Sequence, residues 1–239
     1  MAHCPDGGDA IHHRLLTQLP RDVQDRLAAH VRTVSLRAGE RLFSAHDPAR
    51  AVFFPESGLV SLVSTVASGE AMDVGLVGSH GVAGAPIVSD GVDSLPYEGL
   101  VRVCGTALRI DAEPLRAEAR SDSDLAQAVA RHARLAIAEC VTSAACIAFH
   151  PAHRRCARWL LQASDLLGSA ELALTHDQLA HMMGIRRESV TVALGSLDAR
   201  GLIEHGRAHI VIRDRERLES AACDCYDVLR VERRRLLGD

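Results

Sequence analysis

Leu174-Thr175-His176-Asp177-Gln178-Leu179-Ala180-His181-Met182-Met183-Gly184-Ile185-Arg186-Arg187-Glu188-Ser189-Val190-Thr191 is the stretch that decides how this chain folds. Thr175 and Gln178 have the spacing of a capping box, in which each side chain satisfies a backbone N–H of the other residue. Leu179, Met182 and Met183 then give a short first helix its apolar face. Gly184 permits a tight turn, and Ile185 is predicted to be a buried turn residue. The next helix starts near Arg186 and runs to about Ala199. Its inner face is Val190, Ala193, Leu194 and Leu197, at i, i+3, i+4 and i+7. Gly201 is the predicted residue just past its end. Short helix, glycine turn and second helix make up a helix-turn-helix.

The outer face of the second helix carries chemistry. Arg187, Glu188 and Thr191 fall opposite Val190 and Leu197. Arginine can donate two hydrogen bonds to guanine O6 and N7, and glutamate can accept from a cytosine amino group. Threonine can meet a base or a phosphate. All three lie in the N-terminal half of the helix, where a recognition helix reaches base edges. Thr175, Arg186 and Ser189 complete the predicted DNA-facing set. A solvated Arg-Glu pair is the plain alternative, and the capping box and glycine turn weigh against it. Leu202-Ile203-Glu204 and His209–Ile212 flank His205-Gly206-Arg207-Ala208 as a β-hairpin, a wing with Arg207 at its tip facing phosphate. A last helix is predicted over 215–237. Its basic end, Arg233-Arg234-Arg235, reads as solvated charge offsetting the helix dipole.

Upstream, a helix is predicted from about Ala152 to Leu167, with Cys156, Trp159, Leu160 and Ala163 inward and Gly168 as its stop. Pro151 separates it from a long helical stretch that starts at Glu113 or Ser121 and ends at Phe149. Ser121-Asp122-Ser123-Asp124 offers capping and dipole-matching residues. Val129, Ala133, Ala136, Ile137, Cys140, Ala144 and Ile147 form one stripe of mostly small residues. It reads either as packing within one domain or, given the architecture, as a dimer seam across a two-fold axis. Between 33 and 110, short apolar stretches are punctuated by Gly39, Gly58, Gly69 and Gly78, the pattern of a jelly roll. Residues 11–30 read as a short amphipathic helix, with Pro20 as a turn or helix start. The class is α+β. The predicted parts are an N-terminal helix and β-roll (1–112), a dimerisation helix (113–150) and a winged helix-turn-helix (151–239).

Composition narrows the function. The chain has 239 residues, 47% of them hydrophobic and 24% charged, which argues against wholesale disorder. All 27 basic residues are arginine. Residues 1–150 hold 13 Arg against 18 Asp and Glu, a net of −5, whereas residues 151–239 hold 14 against 13, a net of +1. That asymmetry permits nucleic-acid binding by the second half without demanding it. No uninterrupted apolar run reaches spanning length, and no secretory signal is visible, so a cytoplasmic protein with no membrane partner is expected. Seven cysteines are scattered along the chain, read as reduced thiols. Cys223-Asp224-Cys225 is too lean to be a zinc site alone, so no metal site is predicted. His12-His13, His150-x-x-His153 and His176 lack a partnering nucleophile. Surface or capping roles are expected for them, with no catalytic residues and no enzyme activity.

The motif resembles the Crp/Fnr family of bacterial transcription regulators. The resemblance is carried by Leu174 to Thr191 and by Leu197-x-x-x-Gly201-Leu202-Ile203. Further matches are Leu36-x-x-Gly39-Glu40, Val52-Phe53-Phe54-Pro55-x-x-Gly58-Leu59-Val60, Gly78-x-x-Gly81-Val82-x-Gly84, and His150 with Arg154, Ala157, Arg158, Trp159 and Leu160. It spans roughly residues 30–230. Ala221-Ala222-Cys223-Asp224-Cys225-Tyr226 is similar to a branch of that family. The resemblance implies a cyclic-nucleotide-type β-roll as effector domain and a homodimer joined by the central helix. It implies base contacts by Arg187 and Glu188, with Thr191 a further contact position. Double-stranded DNA and a second copy of the chain are the implied partners, and RNA polymerase is a further candidate. Many members carry arginine where this chain has Val192, which puts the preferred DNA site in doubt.

The effector pocket departs from the family pattern. Nucleotide-binding members follow the pocket glycine with glutamate, whereas Gly84 is followed by Ala85. Their phosphate-clamping Arg-Ser falls at Leu95-Pro96, which offers no side-chain partner for an anion. Arg102 is the nearest downstream arginine, expected on a strand and facing solvent. The iron–sulfur cysteines of other members are missing, with Cys4 alone near the N-terminus. No cofactor is predicted, and any small-molecule effector should not be cyclic AMP. Against the regulator stands a ligand- or redox-sensing interaction protein that binds no specific DNA. Its redox form needs an exposed low-pKa thiolate at Cys140, Cys146 or Cys156, positions that read instead as core.

Overall fold

A computed structural model of the chain describes residues 13–89, 92–206 and 208–238. The chain divides into two compact units, residues 1–64 with 77–136 and residues 65–76 with 137–239. The central helix has residues in both units.

In the first unit the N-terminal helix is interrupted. Helices α1 (Arg14–Thr17) and α2 (Arg21–Ala28) are separated by Pro20, the N-cap of α2. Proline has no N–H to give the preceding turn but fits a helix start. Leu15, Leu16, Leu19, Val23 and Leu27 are buried. Seven described strands follow along the chain: β1 (Val31–Leu36), β2 (Arg41–Phe43), β3 (Ala51–Pro55), β4 (Leu59–Thr65), β5 (Ala71–Val77, all but its last residue in the second unit), β6 (Glu98–Val103) and β7 (Gly105–Asp111). They form two antiparallel sheets, ordered β1-β7-β3 and β2-β6-β4-β5. Strand β7 pairs along the whole of β1, from Val31 opposite Ile110 to Leu36 opposite Gly105. One close approach requires glycine: a Cβ on Gly105 would lie 2.4 Å from the Ser57 carbonyl.

The helical stretch after the strands is two helices. Helix α3 (Ala112–Ser121) stops at Asp122, whose backbone is extended, and α4 (Ser123–Phe149) follows. Asp122 Oδ1 accepts from the Leu125 N–H at 2.8 Å, the capping foreseen for this tetrapeptide. Helix α4 has the length and mean hydropathy of a bilayer-crossing helix, which the absence of an uninterrupted apolar run did not reveal. It nevertheless carries Arg131, Arg134 and Glu139, and Glu139 is engaged within the second unit.

That unit is organised on α5 (Ala152–Leu167), whose Cys156, Trp159, Leu160 and Ala163 are buried. Gly168 ends it in the left-handed conformation, φ 63°. Then come β8 (Glu171–Leu172), α6 (His176–Met183), α7 (Arg187–Asp198), β9 (Ile203–His205) and β10 (Ile210–Ile212). The three strands form a sheet ordered β8-β10-β9. The single last helix expected over 215–237 is two, α8 (Arg215–Ala221) and α9 (Cys225–Leu237). Ala222 is extended between them, and Cys223 and Cys225 turn inward.

Glu139 of α4 is buried here. It accepts from the Leu76 N–H at 2.9 Å, Gln162 Nε2 at 3.1 Å and Arg233 Nη2 at 3.0 Å. Burial pushes its carboxyl above the usual range, and Arg233 opposes that shift. Arg233 is therefore not the solvated helix end expected from sequence. A buried carboxylate needs a paired charge, and Arg233 supplies it.

Candidate nucleic-acid interface

The capping box of α6 forms as predicted. Thr175 Oγ1 accepts from the Gln178 N–H at 3.1 Å, and Gln178 Oε1 accepts from the Thr175 N–H at 2.8 Å. Two donors left orphaned at a helix start are thus satisfied. Gly184 caps α6 at φ 59°, a conformation that costs other L-residues about 1–2 kcal/mol. Arg155 on α5 donates to the Met183 carbonyl, tying the turn to the core of this unit. Arg186 is the extended N-cap of α7. Val190, Ala193, Leu194 and Leu197 are buried beneath the helix, while Arg186, Arg187, Glu188, Ser189 and Thr191 are exposed. Thr175 is half-buried through its capping role.

Arg187 Nη1 lies 3.4 Å from Asp177 Oδ2. Both side chains are well exposed, so the pair contributes at most about 1 kcal/mol and a better acceptor can displace it. Thr191 Oγ1 donates to the Arg187 carbonyl at 3.2 Å and lies 3.2 Å from His176 Nδ1. Burial and the neighbouring His205 lower the His176 pKa, favouring a neutral ring. Val192, at the position where many Crp/Fnr members have arginine, is 73% exposed. The wing strands β9 and β10 pair from Ile210 opposite His205 to Ile212 opposite Ile203. Arg207 lies outside the described residues.

The five predicted effector-pocket positions are placed less coherently. Gly84 adopts φ 89° and precedes a 3-10 turn, Ala85–Val88. Ala85 and Leu95 are buried and Pro96 is exposed. Arg102 does not face solvent: it is 6% exposed, and its Nε donates to Ser61 Oγ at 3.1 Å. A cavity of about 230 Å³ is lined by Ala85, Val88, Ser89, Arg116, Arg120 and Val129, among others. Leu95, Pro96 and Arg102 do not line it.

The central helix needs a correction. Val129 is 2% exposed and is covered within the first unit. Ala133, Ala136 and Cys140 are half-buried, and Ile137, Ala144 and Ile147 are exposed. The exposed apolar face centres on Ile137 (62%), Val141 (65%), Ala144 and Ala148. It is turned about 60° from the expected stripe at 3.6 residues per turn. Val141 was missed, although it lies one turn from Ile137.

Cys140 and Cys156 have thiols pushed up by burial, to about 11 and about 12. Neither has the thiolate character a redox sensor needs. The histidines were also misread in part: His13 is buried, and its Nε2 is 3.0 Å from the Gly81 carbonyl. His12 lies outside the described residues.

Residues 154–221 match the model of the Crp-like helix-turn-helix domain. The chain is 27% identical over 198 residues to the transcriptional regulator SdrP of Thermus thermophilus, covering 80% of this chain and 94% of that protein. A crystal structure of a CRP/FNR-family transcriptional regulator from the same organism is also 27% identical. It superposes with a TM-score of 0.64 and covers 80% of this chain and 98% of that one. Over most of its length the chain is similar to regulators of the Crp/Fnr family, and it carries a Crp-like helix-turn-helix domain. FixK2 of Bradyrhizobium japonicum shares the fold at 19% identity, with a TM-score of 0.70 over 81% of this chain and 98% of that one. This chain is thus a Crp/Fnr-type transcription regulator with a helix-turn-helix DNA-binding domain.

Proposed function

We propose that this Crp/Fnr-type regulator acts in the cytoplasm as a homodimer on a two-fold symmetric DNA site, with α7 of each copy in the major groove. The carrying observation is the exposed row Arg187, Glu188 and Thr191 at the start of α7, held in place by the buried row beneath it. Arg187 reads guanine and Glu188 reads cytosine by the donor and acceptor geometry of their heads. Arg207 in the wing contacts phosphate and sets orientation rather than sequence.

The dimer reading is supported by the bare face of α4. Ile137, Val141, Ala144 and Ala148 are spaced four, three and four residues apart, the seam of a coiled coil. Two-fold pairing along that seam sets the α7 helices about 34–36 Å apart, one turn of DNA. Selection of bound sequences from a random duplex pool tests the whole reading. The expected result is a palindrome with half-sites one turn apart. Arg187→Ala should cost roughly 1–3 kcal/mol on that site and relax one base pair in each half-site. Unchanged affinity and base preference in this variant would remove α7 as the reading helix.

The effector reading is that cyclic AMP does not act through the family pocket. The Ala85 side chain offers no acceptor for a ribose hydroxyl, and the Leu95 and Pro96 side chains offer no donor for a cyclic phosphate. Hydrogen bonds to charged groups contribute about 1.5–3 kcal/mol each, so losing both handles weakens binding by several kcal/mol. Titration calorimetry with cyclic AMP and cyclic GMP should show dissociation constants of about 1 mM or weaker. Micromolar binding abolished by Arg102→Ala would place the clamp on Arg102 instead.

A further inference from the structure

Cys146, His150, Cys223 and Cys225 come together in the second unit, with their ligand atoms all within 4.8 Å of one another. Cys146 lies in the last turn of α4, and His150 follows just past the end of that helix, its N–H bonded to the Cys146 carbonyl at 3.0 Å. Cys223 and Cys225 bracket Asp224 at the α8–α9 turn. The Cys146 and Cys223 sulfurs are 3.5 Å apart, and Cys225 Sγ is 3.5 Å from His150 Nδ1. We propose that these four residues form a Cys3His site for a single tetrahedral divalent cation of the zinc class.

Three independent features support this chemistry. Zinc–sulfur bonds of about 2.3 Å and zinc–nitrogen bonds of about 2.0–2.1 Å place tetrahedral ligands about 3.5–3.8 Å apart. Two pairs, at 3.5 Å, already lie near that separation, and all the others lie within 4.8 Å. Iron–sulfur clusters bind their cysteines through separate irons and need them farther apart. A disulfide would bring two sulfurs to about 2.05 Å and leave the other two ligands unused.

The second feature is the outer shell. His150 Nε2 lies 3.1 Å from Asp224 Oδ1, leaving Nδ1 aimed at the sulfurs. A carboxylate on the far nitrogen of a ligating histidine fixes its tautomer and raises its basicity. The third is charge. The buried guanidiniums of Arg155 and Arg158 each have an Nε without a hydrogen-bond partner. The charge of Arg158 acts on Cys146, and Cys146 and Cys223 act on Arg155. Three thiolates and a neutral imidazole around a divalent cation carry a net −1, which these arginines offset. The bound cation would tie the end of α4 to the α8–α9 turn, joining segments over 70 residues apart in sequence.

The test uses the full-length protein, purified under reducing conditions without added metal. Elemental analysis should find about one zinc per chain. After removal of metal by chelator, titration with Co2+ should give thiolate-to-cobalt charge-transfer absorption and tetrahedral ligand-field bands, saturating at one equivalent. Added Zn2+ should abolish both. Cys223→Ser combined with Cys225→Ser should eliminate these bands. Asp224→Asn, on an exposed carboxylate that does not bind the ion, should keep the fold and weaken Zn2+ binding 10- to 100-fold. Absence of zinc together with absence of cobalt charge transfer in the reduced wild-type chain would overturn the proposal. So would cobalt bands that persist in the double variant, iron with acid-labile sulfide, or equal Zn2+ affinity in Asp224→Asn.

Discussion

His13 illustrates how much a single side chain can depend on distant residues. Its ring stands edge-on to Phe54, 5.4 Å between centroids, and its contact with the Gly81 carbonyl requires a proton on Nε2. Burial lowers its pKa from 6.5 to about 4. A depressed histidine contributes stability that is present above the unfolded value, 6.5, and is lost as pH falls through about 4. At about 1.4 kcal/mol per unit, the full loss is about 3 kcal/mol. Urea melts of wild type and His13→Gln at pH 7 and pH 4.5 should show the larger acid loss in the wild type. Parallel curves would mean that His13 does not titrate in this way. The same scale explains Arg102: its place on strand β6 was legible, but which face of the sheet is inside was not. Arg233 likewise read as helix-end charge because its partner, Glu139, lies 94 positions away.

At the scale of elements, the helix-turn-helix was readable because its determinants are local. A capping box spans four residues, a glycine turn one, and a helical apolar face eight. Thr175→Ala should therefore destabilise the DNA-binding domain by about 1 kcal/mol, read as a lower melting temperature by circular dichroism. A loss within error would show that α6 is held by packing alone. Gly184→Ala should destabilise as well, through its positive φ and a Cβ only 3.2 Å from that of Met72. The breaks at Asp122 and Ala222 were harder to see, because neither contains proline or glycine. The α8–α9 break coincides with two buried cysteines, so the turn is dictated by what the side chains reach rather than by backbone preference.

For the whole molecule, the apolar face of α4 is an exposed apolar row among the described residues. Exposing Ile137 and Val141 on a helix of 27 residues leaves area that a second copy would remove from water, at about 25 cal/mol per Å² of apolar surface. Val141→Asp places a charge at the centre of that seam. Sedimentation should show a dimeric wild type and a monomeric variant at micromolar concentration. DNA affinity should fall with it, because two half-sites are then bound independently. A monomeric wild type would remove the dimer reading. Arg131, Arg134 and the buried Glu139 make the same helix costly to place in a bilayer, despite its length.

The sequence by itself determined the seven strands of the N-terminal part, the helix-turn-helix and the identity of the exposed residues on its second helix. Periodicity, caps and turns act over a few residues, and their signals survive in the order of the amino acids. Only the tertiary structure decided which way α4 faces, that Arg102 is buried, that Glu139 meets Arg233, and that Cys146 and His150 meet Cys223 and Cys225. Each of those pairings joins residues far apart in the chain. A cysteine pair too lean to bind a metal becomes half of a ligand set only when the fold delivers the other half.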